Sequence, residues 1–150
     1  KKTFPNMVGK EWRNTVQFGG SYFYGTPNSP ISNSPLHYKR FSDPQDPRVN
    51  CDRGISFVTG ALQIWDVEYF IEIGGLNPSM SRNFQDVDIC LRSCMLGHIP
   101  MYFGKDIYFY HDESANFYSN TEEKKFDGQM VNDHVLFGKL WNEKVPEIMS

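Results

Sequence analysis

The chain has 150 residues, of which 39% are hydrophobic and 15% aromatic, and its formal net charge is −3. This is enough apolar material for one globular domain with a real core, and it excludes a disordered chain. The mildly acidic balance, without any basic stripe, argues against a nucleic-acid partner. No apolar run reaches the roughly 18 residues needed to cross a bilayer.

In chain order, Lys1-Lys2-Thr3-Phe4 does not read as a natural terminus, and no signal peptide is visible. No Asn-x-Ser/Thr site has a permissible middle residue. The cytoplasm is the expected location. Thr15 to Phe18, Gly19-Gly20 and Ser21 to Tyr24 read as a strand, a turn and a second short strand. Residues 25–53 hold five of the nine prolines and many Ser and Asn, so a long irregular loop is expected. Ile55 to Trp65 reads as a strand, with Gly60 where another group can come close.

Asp66 then opens a short helix whose apolar face is Val67, Phe70 and Ile71, and Gly74-Gly75 ends it. A second helix over Gln85 to Leu96 follows, capped by Ser81 or Asn83 and stopped by Gly97. Its expected buried face is Val87, Cys90, Leu91, Cys94 and Met95. Cys90 and Cys94, one turn apart, read as two small apolar groups rather than a zinc site. With Cys51 they make three cysteines, which is no disulfide framework. Asp88 sits about 200° around the helix from Asp86, so the two carboxylates do not share a face. It is four residues before Arg92, the right order for a helical ion pair.

Ile99 to Phe103 and Ile107 to Tyr110 read as two aromatic-rich strands. Glu122 to Lys125 reads as a solvated face. Val131, Val135, Leu136, Leu140 and Trp141 recur at helical spacing, giving a final helix over 129–142. Trp65 and Trp141 are expected in the core, and Trp12 is a third tryptophan without a clear assignment.

Four of these pieces stand in a telling order. They are Val58-Thr59-Gly60-Ala61, Gly74-Gly75-Leu76-Asn77, Gln85-Asp86-Val87-Asp88-Ile89-Cys90-Leu91-Arg92, and Tyr110-His111-Asp112-Glu113-Ser114. Together they resemble the acceptor half of an inverting, family 2 glycosyltransferase with the GT-A fold, whose members often carry a "TGA … GGF(D/N)E … EDVDLCLR … G … H" series. The resemblance implies an α/β fragment of a nucleotide-diphospho-sugar transferase, a mixed sheet flanked by helices, within one domain over 1–150.

It also implies roles. Asp86 would be the base that takes the proton of the acceptor hydroxyl. Thr59, Gly60 and Ala61 would form the wall beneath the donor sugar, while Phe84 and Gln85 would line the acceptor side. Gln85 stands where the family usually has Glu, so the pair has lost a charge. His111 would help hold a divalent metal, Mn2+ or Mg2+, at the donor diphosphate, with Asp112 and Glu113 as orienting neighbours.

Each residue keeps a plainer alternative: Asp86 as a first-turn carboxylate on the helix dipole, 59–61 as tight packing, His111 as a strand-end residue.

The partners implied are a nucleotide-sugar donor and a glycan or other hydroxyl acceptor. The Asp-x-Asp motif that holds the donor metal in such enzymes has no counterpart here outside Asp86-Val87-Asp88. The piece is therefore expected to be silent alone and to need a nucleotide-binding half. Unpaired sheet edges make a homodimer possible. Two other readings remain open from the residues: a carbohydrate-binding or assembly module derived from a transferase, and a metal-dependent hydrolase using Asp86, His111 and Asp112.

Overall fold

The computed structural model describes residues 15–25, 28–111 and 123–149, with backbone alone over 123–127. Trp12, Asp112 and Glu113 lie outside the described residues. The chain mixes helices with two small antiparallel sheets, so its composition is α/β. No helix among the described residues is long and apolar enough to cross a membrane.

The first sheet pairs β1 (Ser21–Gly25) with β2 (Asn33–His37), in register from Ser21↔His37 to Gly25↔Asn33. β2 lies inside the stretch expected to be irregular. Pro35 is tolerated opposite Phe23 because each strand of a two-stranded sheet keeps one edge free of ladder bonds. Thr15 to Phe18, expected as a strand, is not one. Val16 instead exchanges backbone bonds with the 41–42 turn. The second sheet pairs β3 (Asp52–Gly54) with β4 (Met101–Phe103), from Asp52↔Phe103 to Gly54↔Met101.

The expected strand over 55–65 does not form, and the reason is visible in its partners. This segment runs along α2 (Gln85–Met95) rather than beside another strand. Gly60 N–H donates to Asp86 Oδ2 at 2.7 Å, and Val58 N–H to Cys90 Sγ at 3.5 Å. Cys94 Sγ–H donates to Ser56 O at 3.7 Å. Two residues of extended chain advance about 6.6 Å and four residues of helix about 6.0 Å, so every second residue of 56–60 meets every fourth residue of the helix. Side chains of α2 thus take the place of a neighbouring strand. Residues 107–110 also carry no strand, having no partner strand among the described residues, and Ile107, Tyr108, Phe109 and Tyr110 are exposed.

α1 (Val67–Glu72) starts as expected, with Asp66 Oδ1 accepting the Tyr69 N–H at 2.9 Å. Its expected apolar face is only partly used: Phe70 packs on the core, whereas Val67 and Ile71 are exposed. Gly74 and Gly75 end it at φ of 85° and 61°, the left-handed region that glycine enters freely.

α2 buries Val87, Ile89, Cys90 and Leu91, while Met95 at its end is exposed and Cys94 half-buried. Neither Ser81 nor Asn83 caps it. Phe84 precedes the helix at φ 66° without a capping side chain, a conformation costing about 1–2 kcal/mol for a non-glycine residue.

α3 (Glu123–Trp141) and α4 (Lys144–Ile148) close the chain. α3 starts earlier than the expected 129–142. The buried stripe on it is Asp133, Phe137 and Trp141; Val131 and Val135, expected inside, are exposed. Phe137, Trp141 and Val145 join Ile31, Phe57, Met80 and the α2 residues in one core, with Trp65 packed at its border. Gly138 lets α3 lie on the chain at Pro30, since a Cβ there would fall 1.9 Å from Pro30 O. Asn142 fastens the same junction by donating to Pro30 O at 2.8 Å and accepting from Ser32 N–H at 2.9 Å.

Candidate functional site

Asp86 is the second residue of α2, half-buried, with both carboxylate oxygens engaged once. Oδ2 accepts the Gly60 N–H at 2.7 Å and Oδ1 the Val87 N–H at 2.9 Å. An ionised carboxylate offers about four acceptor positions, so each oxygen retains one for a further donor. Gly60 is exposed, and a Cβ there would stand 3.3 Å from both Cβ and Oδ2 of Asp86. The glycine is where the helix side chain approaches the 58–61 segment most closely. Thr59 Oγ1 accepts from the Ala61 N–H at 3.4 Å, shaping the turn in which Gly60 lies.

Asp88 faces the other way, as the helical angle requires. It is buried, accepts from Arg92 Nε at 2.9 Å and from Trp141 Nε1 at 2.8 Å. Arg92 in turn donates to the carbonyls of Ile73 and Gly75, at the end of α1. Asp88 and Arg92 therefore tie α1, α2 and α3 together and leave Asp86 alone on its face. The Gly74-Gly75 motif serves this web: its turn presents the carbonyls that the guanidinium collects.

Cys90, one turn beyond Asp86, is buried, and burial pushes its thiol up to about 12. The Val58 N–H bond and Gln63 act in the opposite direction. Cys94 is also raised by burial. Neither is a nucleophile at neutral pH.

The remaining expected residues have separate neighbours. The Phe84 ring packs on α3, edge-on to His134 at 4.7 Å and tilted over Phe137 at 4.6 Å. Gln85 donates through Nε2 to Met80 O. His111 is exposed, and its Nδ1 lies 2.6 Å from Gln17 Oε1. An amide oxygen only accepts, so in this contact Nδ1 is the donor.

Among the described residues no three His, Cys, Asp or Glu side chains cluster closely enough to hold a metal ion. His111 by itself does not make a metal centre, and no chemical step is derived through one. The third residue of the hydrolase alternative, Asp112, is not described. A cavity of about 410 Å³ lies elsewhere, between the end of α2 and α4, lined by Cys94, Met95, Lys144, Glu147 and Ile148.

One residue that sequence reading passed over is Asp133. Its carboxylate accepts backbone N–H bonds from Ser81, Arg82 and Asn83, the turn that leads into Phe84 and α2. The available signal was an acid four residues before Phe137 and eight before Trp141, inside an otherwise apolar stripe.

Comparison of the chain with family models, curated proteins and solved structures gives no match.

Proposed function

We propose that this chain is the acceptor side of an inverting, nucleotide-sugar-dependent glycosyltransferase of the GT-A type, with Asp86 as its base. The observation that supports this reading is the bond between Gly60 and Asp86. It joins the Thr59-Gly60-Ala61 piece to the Gln85-Asp86 piece, two segments of the motif series that resembles such an enzyme. Asp86 is half-buried, holds acceptor capacity in reserve, and is separated from the Asp88 web. Those are the requirements for a carboxylate that takes a proton from an incoming alcohol.

On this reading a nucleotide-binding half bearing an Asp-x-Asp motif completes the enzyme. A divalent metal, Mn2+ or Mg2+, would be held mainly by that other half, with His111 as the contribution expected from this chain. Each strand of the two sheets keeps one edge without a partner strand among the described residues, which suits a homodimer.

The test is transfer from a panel of nucleotide sugars with manganese. The chain alone should be silent. Joined to its nucleotide-binding half it should transfer sugar with inversion, read from the anomeric proton coupling of the product. Retention of configuration, or turnover by the isolated chain comparable to an intact transferase, would refute the proposal.

A further inference from the structure

We propose that Asp133 is a positioning residue that aims Asp86 at Gly60. The catalytic consequence rests on the reading of Asp86 as a base, whereas the structural link stands on its own observations.

Asp133 is 2% exposed and sits on the apolar stripe of α3. A carboxylate there is unfavourable unless its oxygens are satisfied. Three backbone donors satisfy it: Ser81 N–H to Oδ1 at 3.1 Å, and Arg82 and Asn83 N–H to Oδ2 at 2.8 and 2.9 Å. Charge-assisted bonds of this kind are the strong ones, and three of them fix one turn.

That turn passes directly into Phe84, whose left-handed φ of 66° sets the direction in which α2 leaves. The Phe84 ring is held by the next residues of the same α3 face, His134 and Phe137. Two residues after Asn83 comes Gln85, the first residue of α2, and then Asp86. The first turn of α2 is thus set from α3, without a local capping side chain.

The body of α2 has independent anchors. Val87, Ile89 and Leu91 are in the core, and Asp88 and Arg92 hold the α1 web. Loss of the Asp133 bonds would therefore free mainly residues 81–86. Asp86 would lose its aim while the fold around it persisted.

The experiment uses the chain as it is. Proton–nitrogen spectra are compared for wild type, Asp86→Asn and Asp133→Asn. The Gly60 amide proton, bound to a carboxylate, should lie downfield and move upfield in Asp86→Asn. In Asp133→Asn it should move in the same direction by at least about half as much. The Trp141 indole proton, which reports the Asp88 web, should stay in place. An unmoved Gly60 resonance in folded Asp133→Asn overturns the proposal.

Should Asp133→Asn fail to fold, Phe84→Ala decides. It removes the ring contacts alone and should shift Gly60 upfield by a smaller amount, and no shift overturns the proposal. In the assembled transferase Asp133→Asn should lower kcat roughly 10- to 10²-fold with KM little changed. Transfer retained by Asp86→Asn would remove the base reading without touching the Gly60 result, so the two failures are distinguishable.

Discussion

Gly60 donates its backbone N–H to Asp86 Oδ2 at 2.7 Å across 26 residues of sequence. The bond is one rung of a ladder in which residues 56, 58 and 60 meet Cys94, Cys90 and Asp86 on successive turns of α2. The same bond orients the carboxylate and leaves it partly open to solvent.

Glycine at this rung is a steric requirement. In Gly60→Ala the new methyl would meet Asp86 Cβ and Oδ2 at 3.3 Å, and the aspartate must yield by a few tenths of an ångström. The fold should tolerate the change, since Gly60 is exposed. Transfer by the assembled enzyme should fall by up to roughly 10²-fold, because small misplacements of a reacting group are expensive. Initial rates beside a urea melt separate the two effects.

Asp88 should behave oppositely. Asp88→Ala leaves the buried Trp141 indole N–H without an acceptor and breaks the ion pair to Arg92. A loss of about 2–4 kcal/mol is expected in urea unfolding. Trp141→Phe should cost less, about 1–2 kcal/mol, because only one bond goes and the ring volume is largely kept.

The helices and their turns were the legible part of this chain. Gly74-Gly75, Asp66 and the 85–96 periodicity are local signals, and the structure carries each of them at or within a residue of its expected place. The sheet was less legible, because a strand is defined by its partner. Residues 55–65 have strand-like sequence but a helix for a neighbour, and 107–110 have no partner strand among the described residues. β2 was hidden by Pro35, which only an edge position accepts. The α3 stripe is legible at Leu136, Leu140 and Trp141, which meet the core, but not at Val131 and Val135, which are apolar yet exposed, nor at Asp133, which is charged yet buried. Asp86 could be picked from its motif; its bond to Gly60 and the cradle around Asp133 are tertiary facts that no local window contains.

Gly138 marks the closest helix-to-loop approach. Ala there gains helix propensity of about 1 kcal/mol but drives a methyl into Pro30 O, 1.9 Å away, on backbone also held by Asn142. Overpacking of this kind should dominate, leaving Gly138→Ala destabilised by about 1–3 kcal/mol in thermal or urea unfolding.

Cys90 gives a pH signature. Its ordinary value of 9.0 is raised to about 12, chiefly by burial. A raised value means the folded state holds its proton longer than the unfolded chain. That contribution to stability is intact below pH 9.0 and is lost as pH climbs from there toward about 12. At pH 8 the folded thiolate fraction is about 10³-fold below that of an ordinary thiol, so iodoacetamide should label Cys90 far more slowly in the native chain than after unfolding. Mass mapping of the labelled peptides reads this directly.

The central claim is that the Asp86 carboxylate takes a proton from an acceptor hydroxyl. The most direct measurement is kcat/KM for sugar transfer by the assembled enzyme carrying Asp86→Asn, an isosteric change that keeps the Gly60 contact but removes the base. The account predicts a loss of roughly 10²- to 10⁴-fold with the fold and melting behaviour preserved. Transfer within a few-fold of wild type would contradict it.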